Sequence, residues 1–493
     1  MSWVLLTGDY VYKLKRPVRF PFADFTDPQT RARLCAEELR LNRRFAPGLY
    51  LGTAAVRLHG GCASFVGEGP VLETAVRMRQ FDRREELDAL VTAGAVDAPA
   101  FESFGVQLAT VHRTLPGPPP GTRYGRAAAV ARVVRRNFVE WLAMQAPEGE
   151  SGHDTGRLRQ QLASRLRRDR TTLAARARAG RVRECHGDLH LSNLVRLQGC
   201  ITPFDALEFE PAFRYIDVAD EVAFLCADLQ GHGRPDLAHA FLGAYLDEGG
   251  DFGLLRVLAL YVAHRALVRA KIMAIRTAAA TAPDDATRWR NREADYVAVA
   301  RRALEVPAPR LLLLYGLSGS GKSWLARRLA PRLGAIHLRS DRERKRLAGL
   351  AASAASGSAP GTGLYVEGAT DATYARLARC VEDALAGGYT VICDATFLSR
   401  ERRRNFARLA TEAGATPIVM HCEAPQDVLR ARLRARRATG GDVSEADESV
   451  LAWQLSRAEP PDAREGVRIH RIDTTVADPT GLALQALETC APG

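Results

Sequence analysis

Gly316-Leu317-Ser318-Gly319-Ser320-Gly321-Lys322-Ser323 stands between the apolar run Leu311 to Tyr315 and the helix-forming stretch Trp324-Leu325-Ala326-Arg327-Arg328-Leu329. Glycines at this spacing, closed by Lys-Ser, predict a phosphate-binding loop that joins a strand to a helix. The glycines let backbone N–H groups curl around phosphate oxygens, and the helix N-terminus adds its partial positive charge. Lys322 is placed to neutralise β and γ oxygens and Ser323 to hold Mg²⁺. Gly316, Ser318, Gly319, Ser320, Gly321, Lys322 and Ser323 are therefore the expected ATP-binding set, with Ser323 also a metal ligand.

Around this loop, apolar β-runs alternate with helical stretches: Leu311 to Tyr315, Ala335 to Leu338, Tyr389 to Cys393, Thr416 to His421 and Arg468 to Ile472. The alternation predicts a parallel sheet flanked by helices. A bound triphosphate does not fix the reaction, because kinases, hydrolytic motors and switches share the loop. Three features favour phosphoryl transfer to a small molecule. Asp341 ends a short strand where a carboxylate can orient or deprotonate an acceptor hydroxyl, its rival role being to cap a helix over Arg342 to Leu347. Asp394 closes the apolar Val391-Ile392-Cys393 and suits a carboxylate that holds Mg²⁺ or faces the acceptor. Asp427 to Arg437 reads as an arginine-rich helix before Gly440-Gly441; Arg432 and Arg436 are its candidates for closing over the phosphates, against a solvated basic face. Ala348 to Gly363 reads as a loop.

The other half of the chain opens with a predicted hairpin, Trp3 to Thr7 and Tyr10 to Leu14 about Gly8-Asp9, which puts Lys13 in mid-strand. A helix from Asp27-Pro28 to Phe45 carries Glu37 and Glu38, strands are expected over Gly52 to Leu58 and Thr74 to Phe81, and the rest reads as helical. Within it lies His186-Gly187-Asp188-Leu189-His190-Leu191-Ser192-Asn193, followed by Phe204-Asp205. In loops of this spacing one Asp accepts the acceptor's hydroxyl proton, and an Asn five residues on and a later Asp hold Mg²⁺. Asp188, Asn193 and Asp205 take those roles.

Residues 1 to 275 resemble the aminoglycoside phosphotransferase family, whose protein-kinase-like fold carries an HGDxHxxN loop and a later Asp on an apolar strand. The resemblance implies that Lys13 contacts the α/β-phosphates, that Glu38 pairs with Lys13, and that Arg77, Met78 and Arg79 form the hinge beside adenine. Asp217 and Asp220 resemble a bracing segment and fit helix capping equally. Met1 falls directly before the first strand, where related chains carry further residues, which leaves a non-catalytic first domain as a rival. Residues 308 to 490 resemble small kinases of the gluconate kinase, polynucleotide kinase and zeta-toxin type. The order of the two halves, with Asp394-Ala-Thr-Phe-Leu and Val443-Ser-Glu-Ala-Asp in the second, is similar to bacterial bifunctional proteins described as aminoglycoside phosphotransferase-like plus ATP-binding. The implied fold class is α/β and α+β: a protein-kinase-like domain over 1–275, a helical connection over 276–307, and a P-loop parallel α/β sheet over 308–493.

At 493 residues the chain exceeds one ordinary core. Its 46% apolar and 26% charged residues are globular, with no apolar run of membrane-spanning length and no leader-like opening, so a cytoplasmic protein is expected. Nine cysteines without ligand spacing read as free, buried small hydrophobes. The net charge of +12 rests on 64 arginines against five lysines, and coding bias explains it better than a nucleic-acid surface, since aromatics do not interleave with the basic clusters. Among the lysines, Lys13 and Lys322 suit a phosphate better than arginine does; Lys15, Lys271 and Lys345 receive no role. The expectation is an ATP- and Mg²⁺-dependent phosphotransferase acting on a hydroxyl of a small molecule, probed against a regulatory pseudokinase, a polynucleotide 5′-kinase and a mechanical ATPase.

Overall fold

Gly8 takes φ +83°, a conformation that costs glycine nothing, and the chain reverses there between β1 (Ser2–Leu6) and β2 (Tyr10–Lys15), which pair antiparallel. The structure is a computed structural model and describes residues 2–20, 23–145, 154–305, 308–351, 366–439 and 448–489. Helix α1 (Pro28–Asn42) starts where Asp27 accepts the N–H groups of Gln29 and Thr30, with Pro28 pre-set in its first turn. Strands β3 (Tyr50–His59), β4 (Cys62–Ser64) and β5 (Val71–Arg79) complete a five-stranded antiparallel sheet in the order β1-β2-β5-β3-β4. Cys35 on α1 packs with Tyr50, Val76 and Met78 of the sheet, so the helix is seated by apolar burial beside the strand that carries Lys13.

The chain then becomes mainly helical. The helices that matter for the site are α2 (Ala98–Thr114), α3 (Arg170–Arg178), α4 (Val218–Gly231), α5 (Leu255–Ala278) and α6 (Pro283–Leu304). Two short antiparallel ladders, β6 (Val182–Glu184) with β9 (Tyr215–Asp217) and β7 (Leu194–Leu197) with β8 (Cys200–Pro203), bracket the loop that carries Asp188 and deliver Asp205 at the end of β8.

The described chain groups into two units: residues up to Leu242 with Leu258–Leu304, and Gly243–Val257 with the chain from Glu305 onward. The segment expected as a connection contains α6, which groups with the first unit. Gly243–Val257 is held within the second unit by Arg346, which donates to the Asp247 carbonyl at 2.6 Å.

In the second unit, β10 (Arg310–Tyr315), β11 (Ile336–Arg339), β12 (Val391–Asp394), β13 (Thr416–Glu423) and β14 (Arg468–Asp473) form a wholly parallel sheet in the order β11-β12-β10-β13-β14. Its core packs Leu312, Leu314, Ile392, Ile418 and Met420 against Leu325 and Leu329 of α7 (Lys322–Leu333). The helix after β11, α8 (Ser340–Leu347), begins two residues earlier than the sequence suggests. Further helices are α9 (Glu367–Gly387), α10 (Gln426–Thr439) and α11 (Glu448–Arg457). Gly440-Gly441, Val443-Ser-Glu-Ala-Asp and most of the loop expected over 348–363 lie outside the described residues.

Candidate active sites

The P-loop runs from the end of β10 to the start of α7. Gly316, Gly319 and Gly321 hold φ of +152°, +84° and +86°. A Cβ on Gly319 would stand 2.8 Å from the Leu429 carbonyl, and one on Gly316 would stand 2.7 Å from that of Cys422, so glycine is required on steric grounds too. Lys322 is buried, and its ammonium donates to the carbonyls of Gly316 and Leu317, both at 2.8 Å. Burial lowers its pKa below the ordinary lysine value, while the charges of Asp394 and Asp341 work the other way. Both carboxylates are therefore felt at the loop.

Adjacent parallel strands explain that convergence: β11 ends beside β12 with Arg339 opposite Asp394, and His337, two residues back on β11, places its Nε2 3.1 Å from Asp394 Oδ2. Burial would raise the Asp394 carboxyl, but hydrogen bonds from His337 and Ser323 hold it below the usual range. Asp341 lies inside the first turn of α8, not at its cap, which falls on Arg339. Arg432 Nη1 donates to the Gly319 carbonyl at 3.2 Å and to Thr474 Oγ1 at 2.9 Å, and the charge of Arg436 reaches Lys322. Ser318 N–H donates to Gln454 Oε1 on α11 at 2.7 Å, and Ser320 Oγ is buried without a hydrogen-bond partner. The glycine cradle, this orphan hydroxyl and the Ser323–Asp394 oxygen pair fit a triphosphate with Mg²⁺. A cavity of about 330 Å³ opens against the first half of the loop, between Tyr315, Leu317, Ser320, Leu429 and Leu455.

In the first unit, residues distant in sequence meet. Lys13 Nζ lies 2.9 Å from Glu38 Oε1 on α1 and also pairs with Asp205. Burial alone would lower the Lys13 pKa, but Asp205 and Glu38 raise it well above the ordinary value. Asp205 adopts φ +62°, its N–H donating to Tyr50 Oη at 2.9 Å, while the next N–H, of Ala206, donates to Asn42 Oδ1 at 2.9 Å. A non-glycine residue held in this left-handed region is a strained one fixed by its surroundings. Asn193 Nδ2 donates to Asp188 Oδ2 at 2.8 Å, and Phe204 N–H to the Asn193 carbonyl at 3.0 Å. Burial pushes the Asp188 carboxyl up, yet His190 beside it at 3.4 Å, with His186 and Arg265, brings it down to about 2. Asn193 and Asp205 supply the oxygen donors that Mg²⁺ takes. Arg77, Met78 and Arg79 form the end of β5, where Arg79 N–H donates to the Leu49 carbonyl at 2.8 Å.

Several residues of the site went unrecognised in the sequence. Lys15, given no role there, is buried between Glu38 and Glu208. Glu221 on α4 accepts the N–H groups of His186 and Gly187 at 3.1 and 2.8 Å and pairs with His112 Nε2 at 3.1 Å. Asp228, on the same helix, accepts Leu191 N–H at 2.8 Å and pairs with Arg269 at 3.0 Å. Glu221 and Asp228 thus anchor both ends of the Asp188 loop. Asp217 caps α4 and pairs with Arg176, and Asp220 pairs with Arg265, so capping and bracing coexist here. His112, Cys185 and Glu221 form the one buried trio with metal-ligand spacing among the described residues, but Glu221 is already occupied by three hydrogen-bond donors. The eight described cysteines are free, and two of them, Cys62 and Cys200, are exposed instead of buried, since both lie in short hairpin strands. No helix among the described residues is long and apolar enough to cross a membrane.

An uncharacterized protein of Mycobacterium tuberculosis, Rv2004c, is 31% identical over 473 residues, covering 96% of this chain and 90% of the relative. The chain belongs to the family of that mycobacterial protein. A protein of Mycobacterium bovis matches with the same identity and coverage. Residues 311–461, which carry the P-loop and the first four strands of the parallel sheet, match the AAA domain family. Among solved structures, a gluconokinase from Sinorhizobium meliloti 1021 is similar over 37% of this chain and 94% of its own, at 21% identity and a TM-score of 0.27. An ethanolamine kinase of Plasmodium vivax is similar over 62% and 83%, at 12% identity and a TM-score of 0.36.

Proposed function

We propose that this chain is an ATP- and Mg²⁺-dependent phosphotransferase with two sites, a protein-kinase-like one in the first unit and a P-loop kinase site in the second, each acting on a hydroxyl of a small molecule. The observation that carries the reading is the convergence of Lys13, Glu38, Asp188, Asn193 and Asp205 in a unit that lacks a P-loop, within a chain that carries one elsewhere. In the first site Asp188, held ionised, takes the proton of the acceptor hydroxyl as its oxygen bonds to the γ-phosphorus and the bond to the bridging oxygen of ADP breaks. Lys13, positioned by Glu38, offsets charge on the α/β-phosphates. In the second site the loop N–H groups and Lys322 hold the triphosphate, Arg432 and Arg436 add positive charge, and Asp341 faces the acceptor as its base. Mg²⁺, held by Asn193 and Asp205 in one site and by Ser323 and Asp394 in the other, neutralises phosphate charge when bound. The AAA-family match supports nucleotide use in the second unit.

The test is transfer of labelled γ-phosphate from ATP into a metabolite extract by the parent, Asp188→Ala and Lys322→Ala. Two labelled products, each lost in a different variant, are expected. Free phosphate alone, lost only with Lys322→Ala, would leave an ATPase with a regulatory first unit. Salt-sensitive labelling of oligonucleotide 5′ ends would move the second site to a polynucleotide kinase.

A further inference from the structure

Two lysines, not one, face the buried carboxylate of α1. Lys13 and Lys15 are two residues apart on β2 and therefore project from the same face of the strand. Lys13 takes Glu38 Oε1 and Lys15 takes Glu38 Oε2, so both oxygens of a fully buried carboxylate are used. Each lysine has a second partner past Phe204: Asp205 for Lys13 and Glu208 for Lys15. The result is an alternating row, Asp205–Lys13–Glu38–Lys15–Glu208, in which only Asp205 has a substantially exposed carboxylate, at 41%.

This row creates a problem for the proposed chemistry and contains its solution. When Lys13 turns to phosphate oxygens it gives up part of its hold on Glu38, and an unpaired buried carboxylate is strongly disfavoured. We propose that Lys15 is a positioning residue for the first site: it keeps Glu38 neutralised and in place while Lys13 serves the nucleotide, and through Glu208 it ties α1 to the segment that carries Asp205. The inference rests on the nucleotide site proposed above. Lys15 is buried and reaches two carboxylates already, so it stays a holder and does not replace Lys13 at the phosphates. Exchange of Lys13 from Asp205 to phosphate also frees that carboxylate for the metal.

The test uses the full chain in a Lys322→Ala background, so that calorimetric titration with Mg²⁺ and ATP reads the first site, alongside urea unfolding and labelled transfer. Lys15→Met is expected to weaken ATP binding and slow transfer by about 10- to 100-fold each, the usual cost of losing a residue that orients a ligand-contacting one. The double variant Lys15→Met/Glu208→Gln removes one charge of each sign; its unfolding midpoint should return toward the parent while affinity and transfer stay about tenfold or more down. A double variant that binds and transfers like the parent would reduce Lys15 to charge balance and overturn the proposal, as would parent-like binding by Lys15→Met. Parent-like binding by Lys13→Met would show that no nucleotide site exists there, and both the site and the role of Lys15 would fall together. If Lys15→Met does not fold, the charge-balanced double variant decides alone.

Discussion

Replacing Glu221 by Gln keeps the side chain's size and removes its charge at the anchor of the Asp188 loop. Oε1 accepts from His112 Nε2 and His186 N–H, both at 3.1 Å, and Oε2 accepts Gly187 N–H at 2.8 Å, all away from water. A glutamine has a single acceptor oxygen, so whichever way it turns, its NH₂ opposes a backbone N–H. One charge-assisted hydrogen bond is lost and a buried donor is left facing a donor, each costing about 1.5–3 kcal/mol, so a destabilisation of about 3–6 kcal/mol follows. Gly187 has no slack to absorb the change: it sits at φ +84°, and its Cα face is closed by the Phe213 carbonyl, 2.7 Å from where a Cβ would be. Displacement of Asp188 by about 1 Å would cost about 100-fold in transfer. Urea unfolding and Asp188-dependent phosphate transfer are the assays, with ATP binding by the P-loop as the control that stays unchanged. A variant within about 0.5 kcal/mol of the parent, with undiminished transfer, would refute this anchoring role.

Gly319→Ala places a Cβ 2.8 Å from the Leu429 carbonyl at φ +84°, and neither backbone segment can yield. P-loop ATP affinity should fall by about 5- to 30-fold, from the roughly 1–2 kcal/mol of left-handed strain alone, and unchanged calorimetric affinity would contradict it. Burial pushes the pKa of His264 well below the ordinary histidine value, so the unfolded chain binds a proton near pH 6.5 that the folded chain refuses. This group's depressed folded pKa makes stability fall as pH drops below about 6.5, by at most about 1.4 kcal/mol at pH 5.5; urea midpoints should fall with pH in the parent and less steeply in His264→Phe, and equal slopes would refute it. The carboxyl of Asp188, depressed to about 2, contributes stability above the unfolded value near 4 that is lost as pH falls toward 2.

The P-loop was legible because its physics is local: eight consecutive residues carry the turn, the charge and the helix start. The five strands of the second unit and their parallel sense followed from apolar runs, but their order in the sheet and the start of α8 did not, since Ser340-Asp341 reads equally as cap or first turn. Asp188, Asn193 and Asp205 were singled out as candidates by spacing, whereas the residues packed around them were hidden by distance along the chain. Lys15 had a usable signal, its two-residue offset from Lys13 on one strand face, but its partner Glu208 is 193 positions away. Glu221 and Asp228 also left a trace, carboxylates seven residues apart in an apolar helix, which places them two turns apart on one face. Gln454 left none, because a lone glutamine on an amphipathic helix gives no sign that it accepts the Ser318 N–H.

Two nucleotide sites in one chain are tested most directly by counting them. Calorimetric titration of the full chain with ATP and Mg²⁺ should give two equivalents for the parent and one each for Lys13→Met and Lys322→Ala, with none for the double variant. One equivalent in the parent, lost with Lys322→Ala and indifferent to Lys13→Met, would contradict the first site and leave the P-loop unit as the sole place where ATP binds.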